Sequence, residues 1–203
     1  MKQLKQLKQL KQSGFTLIEL LVVLAIAAII TTTAIPSFQS FIQNNRMSTT
    51  VHSFVSSLNL ARSEAVKRGE RVTVCKSSNS STCSNSGDWE QGWIVFIDSN
   101  DNGQRETATE ELVRAHNAVA DSTTISGQTD VENYISYAGT GFAQLVTGSM
   151  LDSTKSTLIF CDSRSFGDQA RAIIISTTGS VRSAPATDSS VSAAIRSAAS
   201  CSV

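Results

Sequence analysis

A single carboxylate in an otherwise apolar run is the group whose chemistry most needs an explanation. The run from Phe15 to Ile35 has 21 residues, and Glu19 is its only charged residue. On insertion scales, an ionised side chain at the centre of a membrane helix costs about 2.5–3.5 kcal/mol. A cost of that size suggests that Glu19 later meets a cation in an assembled partner. The alternative is a plain signal anchor in which Glu19 lies near the lipid headgroups.

The apolar run around Glu19 has the length of a membrane-spanning helix. At about 1.5 Å per residue it covers a hydrocarbon core of about 30 Å. Four lysines and no acid precede it, at Lys2, Lys5, Lys8 and Lys11. The positive-inside rule keeps that flank in the cytoplasm. The sequence therefore predicts a single pass through the inner membrane, with everything after the run in the periplasm.

The segment before the apolar run differs from an ordinary secretory signal. Such a signal is cleaved after its apolar region, whereas the small residues Ser13 and Gly14 precede it. The sequence GFTLIEL at 14–20 resembles the class III leader of type IV pilins and type II secretion pseudopilins. The resemblance implies that prepilin peptidase cleaves between Gly14 and Phe15, methylates the new N-terminus at Phe15 and leaves the helix in place. It also implies that Glu19 neutralises the N-terminal ammonium of a neighbouring filament subunit.

One long helix is predicted after the leader. Pro36 predicts a kink where pilin helices commonly bend, because proline removes a backbone hydrogen bond. Apolar residues then recur at spacings of three and four, interrupted once by Arg62, and Gly69 is a good helix stop. The predicted helix runs from Phe15 to about Arg68. The expected organisation is a leader at 1–14, a membrane or filament-core half at 15–36, an amphipathic half at 37–69, and a β-rich head with a Ser/Thr-rich tail at 70–203.

Short strands separated by turn-forming stretches are predicted in the head. They cover residues 71–76, 92–98, 111–116, 134–138, 157–161, 170–176 and 181–183. The fold class is therefore α+β, with the long helix packed on an antiparallel sheet. The polar stretches 77–87 and 185–200 are expected to be exposed loops or tails with little core.

Four cysteines lie in the part of the chain predicted to be exported. Cys75 and Cys83 flank the first polar loop, and Cys161 and Cys201 would tie the C-terminal tail to a strand. An oxidising compartment favours disulfides, and neither a CxxC nor an HxxxH spacing supports a metal site. Four cysteines allow three pairings, and the sequence does not choose among them.

The head has a narrower resemblance. The sequences LARSEAVKR at 60–68, VTVC at 72–75 and GWIVFID at 92–98 resemble the GspH/FimT group of minor pilins and pseudopilins. FCDSR at 160–164 and ARAIII at 170–175 fit its FimT/FimU branch. The resemblance implies a low-abundance subunit that primes type IV pilus assembly at or near the tip, beside other minor pilins and the major pilin. Such a subunit would support twitching motility and adhesion. The alternative is a GspH-type pseudopilin of a type II secretion system, which shares the leader and the fold.

DNA binding during natural transformation is a further alternative. Some FimT-like pilins bind DNA through a Gly-Arg-x-Arg element, and the matching place here is 179–182, where Ser180 replaces the first arginine. Arg164, Arg171 and Arg182 remain as candidate DNA contacts. Loss of the leader lysines leaves 13 basic against 17 acidic residues, a net charge of −4, which disfavours a strongly basic nucleic-acid binder.

Metal binding and catalysis have little support in the sequence. The stretch from Asp98 to Gly103 opens like a calcium loop, but its twelfth position is Thr109 rather than an acid. The resemblance predicts a β-hairpin turn there. Neither G-x-S-x-G nor Walker A nor G-x-G-x-x-G occurs. No cofactor, metal or enzymatic activity is therefore expected.

Overall fold

The computed structural model describes residues 14–119, 122–198 and 201. The predicted leader, apart from Gly14, lies outside the described residues. The chain divides into two compact units, residues 1–42 and 43–203.

Helix α1 spans Leu17–Arg68, so the predicted long helix is confirmed, beginning two residues later than expected. Gly69 ends it with a φ of +72°, a left-handed conformation that glycine adopts without a steric penalty. The Gly69 amide donates to the carbonyl oxygen of Ala65 at 2.8 Å. Pro36 lies inside the helix, and the bend there stays a prediction.

Two antiparallel sheets form most of the second unit, which confirms the α+β class; the sequence analysis predicted one. The strands are β1 Val72–Lys76, β2 Gly92–Ile97, β3 Leu112–Asn117, β4 Thr124–Gly127, β5 Tyr134–Tyr137, β6 Ala143–Gln144, β7 Thr157–Cys161, β8 Arg171–Ile175 and β9 Val181–Pro185. The first sheet has the order β3-β2-β1-β5-β6, and the second β4-β7-β8-β9. Two short 3-10 helices cover Trp89–Gln91 and Thr129–Val131.

The core lies between the amphipathic part of α1 and both sheets. The ring of Phe54 meets Trp93 of the first sheet at a centroid distance of 4.8 Å and Phe160 of the second at 5.6 Å, both edge-on. Trp89 packs on the same ring at 5.2 Å. Each such aromatic pair contributes about 0.5–1.5 kcal/mol beyond its area burial. One helical side chain thus joins the two sheets.

The expectation of a C-terminal tail with little core is wrong. Residues 193–198 form a short helix, α2 (Ala193–Ala198). Ala186, Val191 and Ile195 are buried against Ile159 and Ala172 on the second sheet. Apolar side chains at spacings of five and four are therefore enough to anchor a segment that is otherwise rich in serine and alanine.

The expectation of disulfides is confirmed, and the structure selects one of the three pairings. Cys75 bonds to Cys83 and closes the polar loop after β1. Cys161 of β7 bonds to Cys201 and ties the chain beyond α2 to the second sheet.

Candidate functional site

The N-terminal turn of α1 holds the residues with the most specific predicted roles. The hydroxyl of Thr16 accepts a hydrogen bond from the Glu19 amide at 3.3 Å, and Glu19 Oε2 accepts one from the Thr16 amide at 3.5 Å. This reciprocal pair is a capping box, which satisfies two amides that a helix start leaves unpaired. Glu19 has no ion pair among the described residues. Its carboxylate therefore remains available to a cation such as a terminal ammonium.

The apolar half of α1 is exposed along its length. Phe15 is 84% exposed, and Leu17, Leu24, Ile30 and Phe38 are each more than half exposed. An 18-residue window of this helix has a mean hydropathy of 2.4, enough by length and composition to cross a membrane. A surface of this kind needs lipid or other helices around it.

The stretch from Asp98 to Gly103, which opens like a calcium loop, is a turn. In it, donors of the chain itself bind the Asp98 carboxylate. The Asp98 carboxylate accepts hydrogen bonds from the Thr73 hydroxyl at 2.7 Å and from the amides of Asn102 and Gly103 at 3.0 Å. Burial raises the pKa of Asp98 above its ordinary value. The stretch connects β2 to β3, which pair antiparallel, and this confirms the predicted hairpin.

Two of the three arginines proposed to contact DNA are paired with acids. Arg164 forms an ion pair with Asp162 and donates to Asn44 Oδ1 at 2.9 Å. The hydrogen bond from Arg164 lowers the pKa of the Asp162 carboxyl. Arg182 lies 3.5 Å from Asp188 in a more exposed pair. Their positive charges are therefore partly neutralised within the chain.

The strand register separates Arg171 from Arg182. Arg182 on β9 is directly opposite Ile174 on β8 and shares its face of the sheet. Arg171 precedes Ile174 by three residues, so its side chain lies on the other face. The structure thus does not bring Arg171 and Arg182 into one patch, and DNA contact stays a prediction.

Arg62 has a structural role that the sequence did not reveal. Its Nε donates to the carbonyl oxygen of Gly141 at 3.0 Å, and its Nη2 donates to that of Thr178 at 2.8 Å. Gly141 lies in the turn after β5, and Thr178 in the turn after β8, so one side chain links both sheets to α1. The sequence held one sign of this role, because Arg62 is the charged residue that interrupts the apolar stripe of α1.

Two family models match the chain, one at its N-terminus and one over most of the part that follows. A family model described as "Type II transport protein GspH" matches residues 50–179, more than half of the chain. A second, described as "Prokaryotic N-terminal methylation motif", matches residues 9–35. No protein with a curated description matches the chain in sequence.

Two solved structures share the fold, and a third is less similar. The type IV minor pilin FimU of Pseudomonas aeruginosa, in one crystal form, is 19% identical with a TM-score of 0.52, over 73% of this chain and 95% of that one. In a second crystal form the identity is 17% and the TM-score 0.50, over 70% and 94%. The minor pseudopilin EpsH from the Type 2 Secretion System of Vibrio cholerae is 12% identical with a TM-score of 0.45, over 70% and 99%. At these identities, the FimU likeness concerns the fold alone.

Proposed function

The chain belongs to the family of the type II transport protein GspH, and on that premise we propose that it is a minor pilin that primes type IV pilus assembly. The family comprises minor pilins and pseudopilins, and the methylation motif at 9–35 implies processing by prepilin peptidase and membrane anchoring. In this proposal, cleavage after Gly14 exposes Phe15, whose N-terminus is then methylated.

The observation that carries the proposal is Glu19 in the first turn of an exposed apolar helix. A carboxylate among apolar side chains is costly unless it meets a positive charge. In a bundle of such helices, the methylated ammonium of a neighbouring subunit supplies that charge. Glu19 then sets the register of this subunit against its neighbour.

We further propose that the subunit is stored in the inner membrane and moves to the pilus at or near its tip. Its second unit, residues 43–203, lies in the periplasm before assembly and presents surfaces to other minor pilins and to the major pilin. The protein is a substrate of processing enzymes and has no catalytic activity of its own. Support for a structural role is that two charged side chains, Asp98 in the head and Arg62 on α1, bind the backbone of turns in the head.

Deletion in the native host tests the role. Without this chain, surface pili and twitching motility should be lost, while secretion of type II substrates stays at the wild-type level. Complementation by the full-length chain should restore the pili. Normal pili in the deletion strain would contradict the proposal.

The second candidate is a pseudopilin of a type II secretion system, favoured by the description of the matching family model. Loss of protein secretion with intact pili, in the same deletion strain, would select this candidate.

A further inference from the structure

A shallow groove between α1 and β3 gathers both histidines of the chain. Its walls include His52 and Ser56 on α1, and Arg114 and His116 on β3. Thr49, Ser53 and Ser57 complete the lining with hydroxyl groups. The groove thus combines one permanent cation, two imidazoles and several hydrogen-bond donors, and none of the described residues that line it carries a carboxylate.

Arg114 has no acid partner in the part of the chain that the structure describes. Its Nη1 approaches only the hydroxyl of Ser56, at 3.4 Å. Arg68, Arg71, Arg164 and Arg182 form ion pairs, whereas the other described arginines, Arg114 among them, have no acid partner there. An exposed arginine without an acid partner can form a charge-assisted hydrogen bond to an external carboxylate.

His116 is held rigidly with one ring nitrogen free. Its ring stacks on Trp93 at a centroid distance of 3.9 Å with 6° between the planes, and Trp93 Nε1 donates to the Ser57 hydroxyl at 2.9 Å. His116 Nδ1 lies 2.7 Å from the carbonyl oxygen of Asn117. Nε2 has no partner among the described residues. Because a carbonyl oxygen only accepts, Nδ1 carries a proton, and Nε2 donates to a ligand only in the imidazolium form. A ring fixed in this way is preorganised to contact a ligand.

The strand that forms one wall of the groove is an edge. Among the described residues, β3 pairs with β2 and has no strand on its other side. Half of the backbone N–H and C=O groups of an edge strand face away from its partner and can accept another strand. Arg114 and His116 are two residues apart, so their side chains share one face. Alternate side chains of an added strand would lie beside them.

We propose that an extended acidic segment of a neighbouring pilin subunit docks along β3 and places one Asp or Glu carboxylate in this groove, between Arg114 and the two histidines. The backbone of the segment pairs with the free edge, and its carboxylate meets the positive groove. This interaction mode gives affinity through main-chain hydrogen bonds and specificity through alternate side chains. The inference rests on the proposed assembly role and names the chemistry of the partner.

Site-specific photocrosslinking of the full-length chain in the native host tests the docking. The photoreactive residue p-benzoylphenylalanine replaces Thr49, which is exposed and lines the groove. Thr107, exposed in the hairpin loop after β2, is the control position. The expected adduct at position 49 joins a pilin subunit, and mass spectrometry places it in a segment that contains Asp or Glu.

Charge reversal separates docking from folding. Arg114→Glu should lower the adduct yield about tenfold, because like charges then oppose each other, while Arg114→Lys should retain most of it. Arg46→Glu reverses the charge of a different exposed arginine, which lies on α1 outside the groove, and should have no effect on the adduct yield. Changing the mapped acid of the partner to Lys should restore the adduct of Arg114→Glu. Unchanged disulfides on non-reducing gels show that each variant has folded.

Three results would overturn the docking. They are an adduct segment without an acid, an adduct yield that does not respond to Arg114→Glu, and no adduct at position 49 in cells that incorporate the probe-bearing chain into pili. Failure of the assembly role is a separate result, because it appears as normal pili in the deletion strain.

Discussion

Arg62 donates from Nε to the carbonyl oxygen of Gly141 at 3.0 Å, while its Nη2 reaches the turn after β8. The two turns also approach each other closely, since a Cβ built at Gly179 would lie 2.2 Å from that same oxygen of Gly141. The Arg62 guanidinium therefore links a turn of each sheet to α1 by hydrogen bonds.

Replacing this guanidinium should destabilise the fold. Arg62→Met keeps the apolar stem but leaves two carbonyl oxygens without a donor, at an expected cost of about 1–3 kcal/mol. Thermal unfolding of the full chain in detergent should show a Tm lowered by several degrees. Arg46→Met, on an exposed part of the same helix, should change the Tm little. Equal Tm values for the two variants would contradict the role of Arg62.

The charge of Glu19 can be separated from its capping hydrogen bond. Glu19→Gln retains a group that can cap the Thr16 amide but has no charge for a neighbouring ammonium, and Glu19→Ala loses both. We expect both variants to be cleaved normally and to be missing from sheared pili, as measured by immunoblot. Gly14→Glu, which should block cleavage, serves as the unprocessed reference. Wild-type amounts of Glu19→Ala in pili would refute the assembly role of this residue.

The two disulfides should differ in their effect on stability. Cys161–Cys201 closes a separation of 40 residues and Cys75–Cys83 one of 8. In the chain-entropy account the longer loop gains more, with typical values of about 2–4 kcal/mol. We expect the double Cys→Ser variant at 161 and 201 to unfold at the lower temperature and to lose α2 first to limited proteolysis. A larger loss from the variant at 75 and 83 would contradict this ranking.

The pair of Asp162 and Arg164 predicts a pH dependence. Arg164 lowers the pKa of Asp162 below its unfolded value, so the contribution of the pair is present above about pH 4 and is lost as the pH falls through the folded pKa. Asp162→Asn should lower the unfolding free energy by about 1–2 kcal/mol at neutral pH. The difference from wild type should shrink below about pH 4 in parallel melts. A difference that stays constant over this range would exclude the ionised pair as its cause.

DNA binding should be weak. Arg171 and Arg182 lie on opposite faces of the second sheet, and Arg164 and Arg182 are paired with acids. The mature chain in detergent should therefore show no salt-dependent binding to duplex DNA between roughly 50 and 200 mM salt. Binding that falls with salt and is weakened by Arg171→Ala or Arg182→Ala would instead support a role in DNA uptake.

Elements with strong local signals were predictable from the sequence. The helix was fixed by a long apolar run, a resumed apolar stripe and Gly69 as its stop. Strands such as β2 and β8 were recognisable because they are short, continuous apolar runs. Glu19 stood out because placing an ionised carboxylate in an apolar helix costs free energy, and few functions explain such a cost.

Elements that depend on distant partners were missed. The four residues of β4 carry little pattern of their own and form a strand because β7 pairs with them. The helix α2 occurs in a polar stretch whose few apolar residues are buried only by the second sheet. The roles of Arg62 and of the groove arise from residues far apart in sequence, which no local spacing reveals.

The stacked pair of Trp93 and His116 makes the groove optically observable. Both tryptophans of the chain lie in the second unit, residues 43–203. Trp89 is buried, and its Nε1 donates a hydrogen bond to the carbonyl oxygen of Val131. Trp93 stacks on His116 and donates to Ser57 of α1, so its emission reports on the surroundings of this wall of the groove. A segment that docks along β3 changes those surroundings and should change the emission of Trp93. The assembled and unassembled subunit would then differ in emission without any added label.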